Sequence, residues 1–206
     1  MVEKLTSIEG PMFSGKTLEM IRFADAFTVG GHQVQIFKPA MDDRGEGSNQ
    51  IKSRLFGRWD ATPIDQPEEL LNKLRKGVDV VMIDEIQFLN QTNPDGVYKI
   101  VEVVDKLLDT DIKVVISGLP RDFRRQPFGP MAELLARAQD KVVLKAVCDE
   151  IIEDGTKCQQ LATETQRYVD GEPADWNDPV VLVGDKMEGY AARCIKHHVV
   201  RNKPIK

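Results

Sequence analysis

Eight residues near the N-terminus, Gly10-Pro11-Met12-Phe13-Ser14-Gly15-Lys16-Thr17, match G-x-x-x-x-G-K-[ST], a spacing suited to holding the phosphates of a nucleotide. In such a loop the backbone N–H groups and the N-terminus of the following helix supply donors to an anion. Lys16 would neutralise the β- and γ-phosphates, and the Thr17 hydroxyl would ligate Mg²⁺. A second pair of chemical groups, Asp84-Glu85, follows an apolar run. Asp84 at that position suits the Mg²⁺ shell, which leaves Glu85 to accept a proton from an attacking hydroxyl or water. Acidic pairs after strands also serve as turns and caps, but a phosphate loop upstream favours chemistry. The third set is Cys148, Cys158, Cys194 and His197, which includes all three cysteines of the chain. An odd count suits a disulfide framework poorly, whereas thiolates with an imidazole suit tetrahedral structural zinc. The first pair is spaced C-x9-C rather than as a short knuckle, and His198 competes with His197. Three unrelated thiols and a surface histidine remain the alternative.

These groups need a frame to position them. Lys4 to Glu9 reads as a strand leading into the phosphate loop, and Leu18, Ile21, Ala24 and Phe27 recur at helical spacing until Gly30-Gly31. Gln33 to Lys38 alternates as a second strand and closes a βαβ-type unit. Met41 to Asn49, rich in charge, Gly and Ser, reads as a loop at the sheet edge where ligands bind; it carries Asp42 and Arg44, which also suit a solvated turn. Pro67 to Gly77 has the proline start, acidic first turn, basic last turn and glycine stop of a helix. Val78 to Ile83 is a near-continuous apolar run, as in a parallel strand covered on both faces, and delivers Asp84-Glu85 at its C-terminal end. Val97 to Leu108 predicts a helix, Ile112 to Ser117 a buried strand, Met131 to Ala138 a short helix and Lys141 to Val147 a last strand. Pro120 to Pro130 is loop-like yet aromatic and basic. Phe123 and Phe128 there line a pocket beside the phosphates or belong to a core under the loop. His32 has no evident role. The alternation predicts an α/β fold with an open, mostly parallel sheet of about five or six strands and helices on both faces.

The bulk properties narrow the function classes. A chain of 206 residues suits one ordinary domain with a small appendage, and 41% hydrophobic with 30% charged residues is ordinary for a globular protein. No apolar run approaches the length that spans a bilayer, so no membrane association is expected. Met1-Val2-Glu3-Lys4 lacks the apolar core of a secretory signal, which gives a cytoplasmic expectation. A net charge of −5 without a Lys/Arg block argues against nucleic acid as the main partner.

Taken together, the chain resembles the cytosolic (type II) thymidine kinases nearly end to end. The resemblance is carried by Gly-Pro-Met-Phe-Ser-Gly-Lys-Thr at 10–17, Asp-Asp-Arg at 42–44, Asp-Glu-Ile-Gln-Phe at 84–88, Gly-Leu-Pro-Arg-Asp-Phe-Arg at 118–124, Ala-Thr-Glu-Thr-Gln-Arg at 162–167 and Tyr190 to His197. It implies a RecA-like P-loop domain over 1–147, a small zinc-binding domain with a lasso loop over 148–200 and a tail over 201–206. It implies transfer of the γ-phosphoryl of ATP to the 5′-hydroxyl of thymidine, with Glu85 as general base. Mg²⁺ would be held near Thr17, Asp84 and Asp42, and Arg44 and Gln87 would stand with Gly10–Thr17 and Asp84 on the ATP side. Met12, Phe88, Leu119, Phe123, Phe128, Thr165 and Tyr190 would enclose the thymidine, whose base the lasso backbone would hydrogen-bond. Zinc on Cys148, Cys158, Cys194 and His197, feedback inhibition by dTTP and a homotetramer complete the implication. The chain departs from the family pattern in about seven extra residues between Cys148 and Cys158, in Gln159 where glycine is usual, and in Val183-Gly184-Asp185 in place of Gly-Gly.

Overall fold

The computed structural model describes residues 3–41, 49–53, 57–181 and 189–204. Its main sheet is built from β1 (Leu5–Glu9), β2 (Val34–Pro39), β3 (Gln50–Lys52), β4 (Arg58–Ile64), β5 (Val80–Ile83), β6 (Lys113–Gly118) and β7 (Asp140–Val143). The seven strands lie in the order β3-β4-β2-β5-β6-β1-β7. All pairings are parallel except that of β3 with β4. This is the open, mostly parallel α/β sheet that the alternation of elements predicts.

Both faces of the sheet are covered, and the side-chain period of two divides its residues between them. Val80, Met82, Ile36, Ile8 and Val115 pack with Met20, Ile21, Ala24 and Phe27 of α1 (Lys16–Val29). The further helices, in chain order, are α2 (Glu69–Asn72), α3 (Lys99–Leu108) and α4 (Met131–Arg137). On the second face Val81, Ile83, Val114 and Ile116 meet Ile100, Val101, Val104 and Leu107 of α3 and Met131 and Leu134 of α4. Of the expected stripe of α1, Ile21, Ala24 and Phe27 are buried, while Leu18 is exposed and Met20 is buried in its stead. Lys99–Leu108 and Lys113–Gly118 fall within a residue or two of the expected helix and strand.

Three expectations are corrected. Pro67 to Gly77 forms only the single turn of α2. Gln35 on β2 explains the early stop: its Nε2 donates to the Lys73 carbonyl at 3.0 Å and its Oε1 accepts the Arg75 N–H at 2.9 Å, capturing backbone groups that a longer helix would use itself. The sheet has two strands that were not foreseen, β3 and β4. The residues of β4, Arg-Trp-Asp-Ala-Thr-Pro-Ile, mix exposed and buried positions and include a proline, so periodicity is weak there. Finally, Lys141 to Val147 is not one strand. After β7 the chain leaves the sheet, and β8 (Ala146–Val147) pairs antiparallel with β9 (Leu161–Ala162). A third, antiparallel sheet follows, with β10 (Glu164–Val169) between β11 (Glu172–Pro173) and β12 (Tyr190–Arg193). Among the described residues no helix is long and apolar enough to cross a membrane.

Candidate active site and metal centre

The phosphate loop leaves β1 after Glu9 and enters α1 at Lys16, so it lies at the C-terminal edge of the parallel strands, where open α/β sheets bind ligands. Phe13 (φ 67°) and Gly15 (φ 88°) have left-handed backbone, which bends the loop into the concave form that turns N–H groups toward an anion. Ser14 Oγ donates to the Pro11 carbonyl at 2.8 Å, and Lys16 Nζ donates to the same carbonyl at 3.0 Å, drawing the ammonium across the loop. Lys16 and Thr17 are both buried. Glu9, just before the loop, has its pKa raised by burial, against the opposing pull of Lys141 and Arg121.

β6 lies between β1 and β5, yet the loop and the acid pair converge across it. Thr17 Oγ1 donates to Asp84 Oδ2 at 3.2 Å, bringing a hydroxyl and a carboxylate together as a Mg²⁺-binding pair needs. Asp84 Oδ1 accepts the Glu85 N–H at 3.0 Å. Glu85 itself has left-handed backbone, φ 48° and ψ 39°, and starts a 3₁₀ turn over Ile86–Phe88. For a residue other than glycine that conformation costs about 1–2 kcal/mol, and here surrounding contacts hold it. Gln87 Nε2 donates to Glu85 Oε2 at 2.5 Å. Asp42 and Arg44, expected beside these groups, lie outside the described residues.

The residues expected to enclose an acceptor come from five separate stretches. Phe88 and Phe128 meet edge to face with ring centroids 5.6 Å apart. Leu119, Phe123 and Phe128 are buried. Thr165 Oγ1 accepts the Met12 N–H at 3.0 Å, tying β10 directly to the phosphate loop. Tyr190 pairs in register with Arg167 on the neighbouring strand, and burial raises its phenol pKa. Sequence reading did not find the staple that holds the 118–130 loop to β10. Arg121 donates to the buried Glu164 carboxylate at 2.9 Å, with Arg125 at 3.6 Å from its other oxygen. Arg124 extends between the rings of Phe123 and Trp176, and Arg167 lies over the Phe123 ring. These partners are some forty residues apart, so no local pattern signals them.

Cys148, Cys158, Cys194 and His197 come together with their ligand atoms all within 4.8 Å of one another. His197 Nδ1 is 3.6 Å from Cys148 Sγ and 3.5 Å from Cys194 Sγ. Zn–S and Zn–N bonds of about 2.3 and 2.0–2.1 Å in a tetrahedron give an S···N edge of roughly 3.6 Å, so the donors suit zinc in kind and these two separations match it. Among the described residues the local core is Ala146, Cys148, Ala162, Ala192 and Cys194 with Cys158 against it, a small apolar volume of the kind a bound metal can reinforce. The long C-x9-C stretch turns back on itself through the Ile151–Lys157 bridge. Arg193, beside Cys194, forms ion pairs with Asp149, next to Cys148, and with Glu150, and its guanidinium also donates to the Tyr168 hydroxyl. His198 is not part of the cluster; its half-buried ring is partly desolvated, which lowers its pKa below the ordinary histidine value. Val183-Gly184-Asp185 lie outside the described residues.

The family described as "Thymidine kinase" matches residues 3–198. Among solved structures, domain III of the replication initiation protein DnaA from Thermotoga maritima is similar at 18% identity with a TM-score of 0.39. That similarity covers 68% of this chain, which spans 54% of the length of that structure.

Proposed function

The chain belongs to the thymidine kinase family, and we propose on that premise that it transfers the γ-phosphoryl group of ATP to the 5′-hydroxyl of thymidine, giving dTMP and ADP. The observation that carries the reading is the meeting of Thr17 with Asp84 at 3.2 Å while the next residue, Glu85, turns toward the 118–130 loop through Gln87. A phosphate cradle and a proton acceptor thereby share one edge of the sheet.

In this mechanism the N–H groups of the loop and the N-terminus of α1 bind the ATP phosphates, and Lys16 exchanges the Pro11 carbonyl for phosphate oxygens. Thr17 and Asp84 would hold Mg²⁺, with Asp42 as an added ligand; when bound, the ion neutralises phosphate charge. Arg44 steadies the same phosphates. Met12, Phe88, Leu119, Phe123, Phe128, Thr165 and Tyr190 enclose the thymidine. Glu85 takes the proton of the 5′-hydroxyl as its oxygen bonds to the γ-phosphorus, and the bond from that phosphorus to the β,γ-bridging oxygen breaks. Cys148, Cys158, Cys194 and His197 would hold zinc, whose part when bound is to cross-link the segments that carry the lasso. On the family basis the product supplies deoxynucleotides for DNA synthesis in the cytoplasm, and the enzyme assembles as a homotetramer.

Thymidine-dependent release of ADP tests the reading. Turnover of ATP should rise with thymidine and not with single-stranded DNA. Stimulation by the DNA, or no turnover with thymidine, would overturn it. Light scattering on the purified protein checks the tetramer.

A further inference from the structure

Gln87 has no stated chemistry beyond its place among the ATP-side residues, but its surroundings are unusually specific. The side chain is fully buried. Its Nε2 donates to Glu85 Oε2 at 2.5 Å, and its Oε1 accepts the Leu119 N–H at 3.1 Å. The two contacts fix the orientation of the amide. Turned over, it would set an oxygen against the carboxylate and an N–H against an N–H. Two flanking segments give up side chains to seat it. A Cβ on Gly118 would fall 2.6 Å from Gln87 Oε1 and 2.8 Å from Met131 Sδ. A Cβ on Gly129, where φ is +52°, would fall 2.5 Å from the Gln87 carbonyl oxygen.

We propose that Gln87 is a positioning residue for proton abstraction, a strut between the Glu85 carboxylate and the exit of β6, where Leu119 begins the wall of the acceptor pocket; this rests on the kinase reading above. Anchoring Oε2 fixes the plane of the carboxylate and so the direction in which Oε1 presents its lone pairs to the nucleoside hydroxyl. Because the other end of the strut is the backbone of Leu119, the acid and the pocket wall are held in one register. The amide serves the acceptor side of the reaction rather than the phosphates.

The test is Gln87→Met, which keeps the volume and removes the amide, assayed for thymidine phosphorylation beside the unaltered enzyme. The kcat should fall about ten- to hundredfold, as a misplaced catalytic group does, with KM for ATP within about twofold. In a Glu85→Gln background the same change should lower kcat by less than about twofold, because the group it orients is gone. A thermal shift on adding ATP confirms that the variant is folded. If Gln87→Met shows none, Gln87→Leu, which also removes the amide and adds no charge, carries the same expectation. Unchanged kcat in a folded variant, or a full further loss in the Glu85→Gln background, would overturn the strut alone. An unaltered enzyme inert toward thymidine would overturn both the strut and the kinase reading.

Discussion

At the scale of single residues, the demanding feature is a carboxylate held in a left-handed backbone turn beside a hydroxyl–carboxylate pair. Glu85 gains its N–H contact from Asp84, its side-chain contact from Gln87 and its place from the 3₁₀ turn it starts. Replacing Glu85 by Gln retains volume and polarity but removes the proton acceptor. The kcat of that variant should fall by at least about a hundredfold, while ATP binding, measured by calorimetry, should be largely retained because the phosphate loop is untouched. A near-normal kcat would remove Glu85 from the mechanism. The motif at 10–17 and the pair at 84–85 were legible as sequence because each does its work through spacing along one segment. The contacts of Gln87 were not, since Leu119 lies on a different strand end.

Elements matter here chiefly through what they press together. The 118–130 loop is held to β10 by Arg121 and Arg125 on the buried Glu164, and β10 is held to the phosphate loop by Thr165. Glu164→Gln would leave the two guanidinium groups without their counter-charge and loosen the pocket wall. KM for thymidine should rise about tenfold, as when one partner of a buried charge pair is truncated, with KM for ATP little changed. An equal rise in both constants would show that the staple supports the sheet in general. The helix α3 makes a different contribution. Ile100, fully buried against the second face of the sheet, supplies packing alone. Ile100→Ala should lower stability by about 2–5 kcal/mol in denaturant unfolding while leaving KM for both substrates in place.

For the whole molecule, two regions are stabilised by different means. The large sheet is packed from both sides by big aliphatic side chains, whereas the core of the Cys/His region consists of alanines and thiols. Freshly purified protein should therefore carry about one zinc per chain by elemental analysis. Cys194→Ser or chelation should expose the C-terminal segments to protease while ATP still binds. Protein free of zinc without chelation would refute the site. The bond from Met12 of the phosphate loop to Thr165, a residue of the proposed acceptor pocket, also bears on control. A molecule carrying both a thymine and a triphosphate can fill both sites at one cost of association, so dTTP should inhibit more tightly than thymidine binds. Its binding should weaken as thymidine rises. Calorimetry showing dTTP binding unaffected by saturating thymidine would place the inhibitor elsewhere.

The sequence alone determined the parts whose signal is local: the phosphate loop between strand and helix, the apolar run ending in Asp84-Glu85, the stripe of α3, and the ligand types of the Cys/His set. Each depends on neighbours a few residues away, where periodicity and spacing are read directly. Only the tertiary structure decided the rest. It cut the helix predicted over 67–77 to one turn because Gln35, from another strand, takes its backbone groups. It peeled Ala146–Val147 from the last strand to pair with Leu161–Ala162, and it chose His197 over His198 as the fourth member of the cluster. It also set Glu164 against two arginines some forty residues away and Gln87 against Leu119. In each case the deciding partner is distant in the chain, and a hydrogen bond or ion pair formed on folding outweighs a propensity of a few tenths of a kcal/mol per residue, about the scale of intrinsic preference.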